Sequence, residues 1–168
     1  MRILGVDPGP KTHGAVVYDT VERRVVWSSG KATFNEVDCA HLEHGCDLAV
    51  IERPSVMGAL GPGIIGHLLD TAWTAGELSV VLGMDGPPVQ TMTRREVLRH
   101  LGVLSGKGSA DSRVRAACIE DHQTPGGSPA IGRKASPGPL YGVSSHAWQA
   151  LGLVLAYLNK EGQSNNEE

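Results

Sequence analysis

Met1-Arg2-Ile3-Leu4-Gly5-Val6-Asp7-Pro8-Gly9-Pro10-Lys11 opens the chain, and a second apolar run follows from Gly14 to Tyr18. Ile3, Leu4 and Val6 predict a short strand, and Asp7-Pro8-Gly9 predicts the turn that ends it. The two runs form a hairpin with a carboxylate at its rim. Asp-Pro-Gly is also ordinary turn chemistry, so Asp7 has a structural reading as turn initiator beside a chemical one. A third run, Arg24 to Ser28, completes an antiparallel meander from residue 2 to about 29, with Asp19 to Glu22 making the tight connection.

The second deciding stretch is Asp47-Leu48-Ala49-Val50-Ile51-Glu52-Arg53-Pro54. Its nearly continuous apolar run predicts a strand buried on both faces, as central parallel strands are, and Pro54 stops the ladder. If this strand lies parallel and adjacent to the first, Asp7 and Glu52 both emerge at carboxyl ends, where open α/β sheets place their sites. Two acids brought together there repel unless a cation neutralises them, and hard oxygen ligands favour magnesium or manganese. The structural alternative for Glu52 is a solvated pair with Arg53.

The 168 residues suit one domain with a single core, predicted over 1–160, and the polar stretch 161–168 predicts a disordered tail. No apolar run approaches the roughly 18 residues of a membrane span, and a strand pattern directly after Met1-Arg2 is no signal peptide. A soluble, cytoplasmic protein is the expectation. Cys39, Cys46 and Cys118 show no C-x-x-C spacing and cannot all pair within the chain, so they read as reduced thiols. The formal charge is −3, unevenly spread: Arg94, Arg95, Arg99, Lys107, Arg113, Arg115, Arg133 and Lys134 fall between Thr91 and Lys134 against few acids. That local excess suits a phosphate backbone. Solvated helix faces are the structural alternative.

Asn35 to Gly45 predicts a short helix, and Ile64 to Leu82 a helix with an apolar face wider than one sheet contact needs, able to pack on a partner subunit. Pro87 to Met92 reads as the last strand. Thr93 and Glu96 form a capping-box pattern for a helix through His100. The loop Ser105-Gly106-Lys107-Gly108-Ser109 leads into a helix from about Ala110 to His122, and glycines beside a lysine there suit a phosphate, though the spacing is not that of a nucleotide-binding loop. Residues 123–143 read as a mobile surface loop. Ser144 or Ser145 then caps a helix to about Lys160 with an apolar stripe of Ala147, Leu151, Val154 and Leu158. His146 and Gln149 share a face at its start.

Asp7 in Ile-Leu-Gly-Val-Asp-Pro-Gly, Glu52 in Leu-Ala-Val-Ile-Glu-Arg-Pro, the Gly-Lys-Gly-Ser-Ala-Asp helix entry and His146 before a small-residue helix together resemble the RuvC family of Holliday junction resolvases, over roughly residues 2 to 158. The resemblance implies an α/β fold of the RNase H-like, retroviral-integrase superfamily, a mixed five-stranded sheet flanked by helices. It implies a homodimer that holds a four-way DNA junction and cuts two strands symmetrically with Mg2+, or Mn2+ as substitute, leaving 5′-phosphates. Carried over by position, Asp7, Glu52 and His146 stand as metal ligands, and Gln149 stands where the family has its last catalytic Asp. Arg94, Arg95, Lys107, Arg113 and Arg115 are the candidates for DNA-backbone contact, with Arg113 first among them for the family's phosphate-contacting lysine.

Two departures qualify the match. A neutral amide at 149 offers a carbonyl oxygen but no charge, so either the second metal is held weakly, or another acid substitutes, or the protein binds junctions without cutting. The family's aromatic residue shortly after the Glu is absent, which leaves Met57 or Leu60 as an aliphatic wedge. An Asp-x-Gly hairpin also opens the ATPase fold of sugar kinases and actin, but that fold needs two duplicated domains and 168 residues are too few.

Overall fold

The computed structural model describes residues 1–56, 61–123, 127 and 129–164. Strands β1 (Arg2–Asp7), β2 (His13–Asp19) and β3 (Arg24–Ala32) form the meander, followed by α1 (Phe34–His44), β4 (Leu48–Arg53), α2 (Pro62–Asp85), β5 (Val89–Thr93), α3 (Arg94–His100) and α4 (Ala110–Asp121). A small antiparallel pair, β6 (Gly132–Arg133) and β7 (Ser136–Pro137), precedes the last helix, α5 (Ala147–Ser164). The main sheet has the order β3-β2-β1-β4-β5, antiparallel through β3, β2 and β1 and parallel through β1, β4 and β5. This is the mixed five-stranded sheet flanked by helices that the sequence implied.

The period-2 alternation of a strand sorts the core into two layers. Leu4, Val6, Ala15, Val17, Ala49 and Ile51 point toward α1 and α2, where Val37, Ala40, Leu78 and Leu82 cover them. Ile3, Val16, Tyr18, Leu48, Val50 and Met92 point to the other face, under α3, α4 and α5. Asp7 and Glu52 have the parity of Ile3 and Val50, so both face the α5 layer. Each lies one residue beyond the last β1–β4 pair, Val6 with Ile51. Adjacent parallel strands thus deliver two carboxylates to one place.

Local sequence explains where the helices begin and end. Thr33 with Glu36, and Thr93 with Glu96, make reciprocal capping boxes at α1 and α3, and Gly45 ends α1 in the left-handed conformation. Asp19 accepts from the amides of Val21 and Glu22 and so closes the β2–β3 turn.

Three sequence expectations need correction. Segment 129–143 runs over the surface but is anchored to the core: Ala130, Leu140 and Val143 are buried while most of the other residues are exposed, and the Val25 amide donates to the Pro139 carbonyl, which caps the edge strand β3. Its proline and glycine content reads as loop, but three apolar anchors fix it. Helix α5 starts at Ala147, after Ser145 in the left-handed region (φ 49°), so His146 precedes the helix, and α5 continues through Ser164 into the stretch predicted as tail. Instead of a stripe, every residue from Ala147 to Ala156 is buried, because α5 is enclosed by the sheet and by α3 and α4. The predicted wedge residues Met57 and Leu60, and residues 165–168, lie outside the described residues. No helix among the described residues is long and apolar enough to cross a membrane.

Glycines set how closely α5 approaches. A Cβ on Gly14, the β2 partner of Asp7, would collide with the His146 carbonyl and lie 2.8 Å from His146 Cβ, and one on Gly5 would lie 2.6 Å from Val154 Cγ2. Backbone cannot yield as a flexible side chain can, so Gly14→Ala is expected to lower stability by about 1–3 kcal/mol, the scale of overpacking, and to displace His146 from Asp7. Urea denaturation and the His146 ring resonances in a 1H–15N NMR spectrum check both effects.

Candidate active site

Asp7 and Glu52 are largely buried, with side chains 19% and 13% exposed. Burial is the main reason that both carboxyls are pushed up to about 7. The charge of Asp7 raises Glu52 further, Asp111 raises both, and the Arg94 guanidinium opposes the rise in each. Raised acids at a strand terminus mark a place where bringing in a cation is favourable.

Arg94 supplies positive charge from within the protein. It is the first residue of α3, directly after the β5 strand whose Met92 pairs with Glu52. Its Nη1 lies 3.3 Å from Glu52 Oε2, and its Nη2 contacts Asp111 Oδ1 on the first turn of α4. With a side chain only 15% exposed, Arg94 is engaged by the carboxylate site. The Thr93 capping box fixes where α3 starts and therefore where this guanidinium sits.

His146 approaches from the other side, its Nδ1 3.5 Å from Asp7 Oδ2. The ring is exposed and lies between two hollows. One, of ≈ 550 Å3, is bounded by Asp7, the Pro8–Thr12 turn, His67 and Thr71 of α2, and His146. The buried His13 ring accepts from the Gly9 amide and braces that turn. The second, of ≈ 360 Å3, is lined by Asp111, Ser112, Arg115, Ser145, His146, Trp148 and Gln149. Gln149 therefore shares a hollow with His146 and Asp111. Its side chain is 6% exposed and its Oε1 is buried with no hydrogen-bond partner among the described residues.

The remaining basic candidates fall into two groups. Arg113 donates to the carbonyls of Val103 (3.0 Å) and Gly108 (2.7 Å), so its guanidinium holds the glycine-rich loop. Arg115 lies over the Trp148 ring, 5.2 Å from its centroid. Arg95 and Lys107 are exposed and make no side-chain ion pair among the described residues. Sequence reasoning missed Asp111, Lys11, His67, Thr71 and Trp148. Asp111 had a signal, as the acid in the Gly-Lys-Gly-Ser-Ala-Asp helix entry. His67 and Thr71 had none, because α2 reads as an apolar helix.

The donor chemistry suits a hard divalent ion: buried carboxylates from β1 and β4 with an imidazole beside one of them. Among the described residues, no three His, Cys, Asp or Glu side chains converge closely enough to hold a metal as they stand. Arg94 Nη1 engages one of the two Glu52 oxygens, Oε2.

No family model matches the chain, and no curated protein sequence does. Solved structures do. The chain is similar to a Thermus thermophilus RuvC structure, with a TM-score of 0.64 and 16% identity over 98% of this chain and 97% of that one. It is similar to T. thermophilus RuvC in complex with Holliday junction substrate, with a TM-score of 0.63 and 16% identity over 97% and 96%. The chain has the RuvC fold. The similarity covers nearly the whole chain, from the meander through α5.

The raised carboxyls make a prediction about metal-free stability. The folded state binds protons that the unfolded state has released between about pH 4 and 7, so stability falls as pH rises through that window and stays low above it. Asp7→Asn removes one of the two charges. Its melting temperature in EDTA is expected to exceed that of the unmodified chain by several degrees at pH 8, at roughly 2–4 °C per kcal/mol for a domain of this size, and the gain should vanish near pH 4.

Proposed function

We propose that this protein is a structure-selective endonuclease that resolves four-way or otherwise branched DNA by metal-dependent phosphodiester hydrolysis. The observation that carries this reading is the pair of buried carboxylates, Asp7 and Glu52, facing one way from adjacent parallel strands of a RuvC-like sheet. Asp7, Glu52 and His146 are the residues that would hold Mg2+ or Mn2+, and the ion would supply Lewis-acid charge and a water of lowered pKa. Gln149 can add only a neutral carbonyl from the last helix.

The chain's own groups prepare the phosphate for attack. Lys11 and His67 line the hollow beside Asp7 and face an incoming phosphate, and the Pro8–Thr12 turn fixes its approach. Arg95 and Lys107, exposed on the α3–α4 side, add backbone attraction without sequence information. Arg115 on Trp148 extends that positive side past the second hollow. A cation held by Glu52 would displace Arg94, whose guanidinium contacts Glu52 in this structure.

Symmetric cutting needs two sites, and α2 offers the surface for a homodimer. Ile65, Leu69, Trp73, Val80 and Met84 are exposed at helical spacing along one side. Beside them a groove of ≈ 730 Å3 is lined by Phe34, Ala72, Trp73, Gly76, Glu77, Val80 and Val81. An exposed stripe of this kind marks an interaction surface, and a second copy in two-fold symmetry would bury it on both chains.

Three outcomes test the proposal. Cleavage of a synthetic four-way junction in Mg2+ or Mn2+ should fall by on the order of a hundredfold or more in Asp7→Asn and Glu52→Gln, the scale for losing a group that stabilises transition-state charge. Junction binding in a gel-shift assay should persist, because less negative charge faces the DNA. Binding without any cutting by the unmodified chain would instead make it a junction-binding protein on the same fold. For assembly, Trp73→Glu should convert a dimer to a monomer in sedimentation velocity at micromolar concentration.

A further inference from the structure

The nuclease reading leaves one carboxylate short, since position 149 is a glutamine. Gln149 is buried, its Oε1 has no partner among the described residues, and the hollow it lines contains one acid, Asp111. Asp111 also holds a cation already: the same guanidinium that contacts Glu52 through Nη1 contacts Asp111 through Nη2. Glu52 on β4 and Asp111 on α4 are thus separated by the width of one guanidinium group. We propose that Asp111 is the third carboxylate of the metal centre, taking over from α4 the role that Gln149 cannot perform from α5, with Arg94 as the resident counter-cation that a divalent ion displaces.

The inference rests on the nuclease reading and deepens it. Three features support the exchange. The Asp111 side chain is 68% exposed on the first turn of α4, open to an incoming ion, while Glu52 is on a strand of the sheet. His146 lines both hollows, so the Asp7 side and the Asp111 side are continuous around one imidazole. The buried, unpartnered Oε1 of Gln149 belongs to the same hollow as Asp111, so a polar group there lacks a partner of its own among the described residues. Arg94 prevents the acids from repelling one another when no metal is bound. A guanidinium and a divalent ion cannot both occupy the gap, so each should compete with the other.

Mn2+ binding, followed by loss of the free-ion EPR signal, tests this without relying on cleavage. Four forms are compared with the unmodified protein: Asp111→Asn, Arg94→Gln, Arg94→Gln with Asp111→Asn, and Asp111→Asn with Gln149→Asp. Circular dichroism is used to establish that each is folded. Arg94→Gln should bind Mn2+ more tightly. Asp111→Asn should weaken binding about tenfold, the scale of one charge-assisted ligand, and should do so in the Arg94→Gln background as well. Adding Gln149→Asp should restore most of the loss. If Asp111→Asn has no effect once Arg94 is neutral, Asp111 only positions Arg94 and the inference is overturned. Mn2+ binding that is indifferent to Asp111 in every form would overturn the inference alone, whereas no Mn2+ binding by any form would overturn the nuclease reading with it.

Discussion

Two carboxylates buried at the ends of neighbouring parallel strands set the terms for the rest of this molecule. Their mutual repulsion and loss of hydration are unfavourable, and the fold meets that cost with a guanidinium delivered by the next strand and helix. The arrangement is a loaded site: stable enough to fold, with its acids held at proton affinities far above those of exposed carboxylates. Burying charge without a full complement of partners is destabilising, so its presence at the carboxyl edge of the sheet points to chemistry more than to packing.

The surrounding structure serves to hold that edge rigid. Gly5 and Gly14 let α5 lie almost against the backbone of β1 and β2, which fixes His146 next to Asp7 even though His146 is outside the helix. The Thr93–Glu96 capping box fixes the start of α3 and with it the direction of Arg94. Arg113 ties the glycine-rich loop to the start of α4, and so fixes the entry of the helix that carries Asp111. Each is a short-range device whose effect is felt several elements away, at one cluster of oxygens.

The opposite side of the sheet has a different character. Helix α2 packs Ala75, Leu78 and Leu82 on the strands and leaves Leu69, Trp73, Val80 and Met84 in solvent, so one helix carries two apolar surfaces. The site hollow reaches this helix through His67 and Thr71. A partner packed on α2 would therefore touch the element that walls the cleft, which gives assembly a physical route to the geometry around Asp7.

Sequence by itself determined the parts that depend on local pattern. Alternation in Ile3 to Val6, the apolar run Leu48 to Ile51 and the two capping boxes specify strands, helices and their ends through short-range sterics and hydrogen bonds, and the Asp7 and Glu52 motifs located the two acids. Only the tertiary structure decided how charges pair. Arg94 meets Glu52 across 42 residues and Asp111 across 17, and nothing in the local pattern distinguishes that arginine from Arg95 beside it. The same limit explains why a proline- and glycine-rich surface segment proved to be anchored to the core by Ala130, Leu140 and Val143, and why Gln149 turned out to share its hollow with an acid from another helix. Periodicity reports which face of an element is buried, while the identity of the neighbour is fixed only when separate elements pack together.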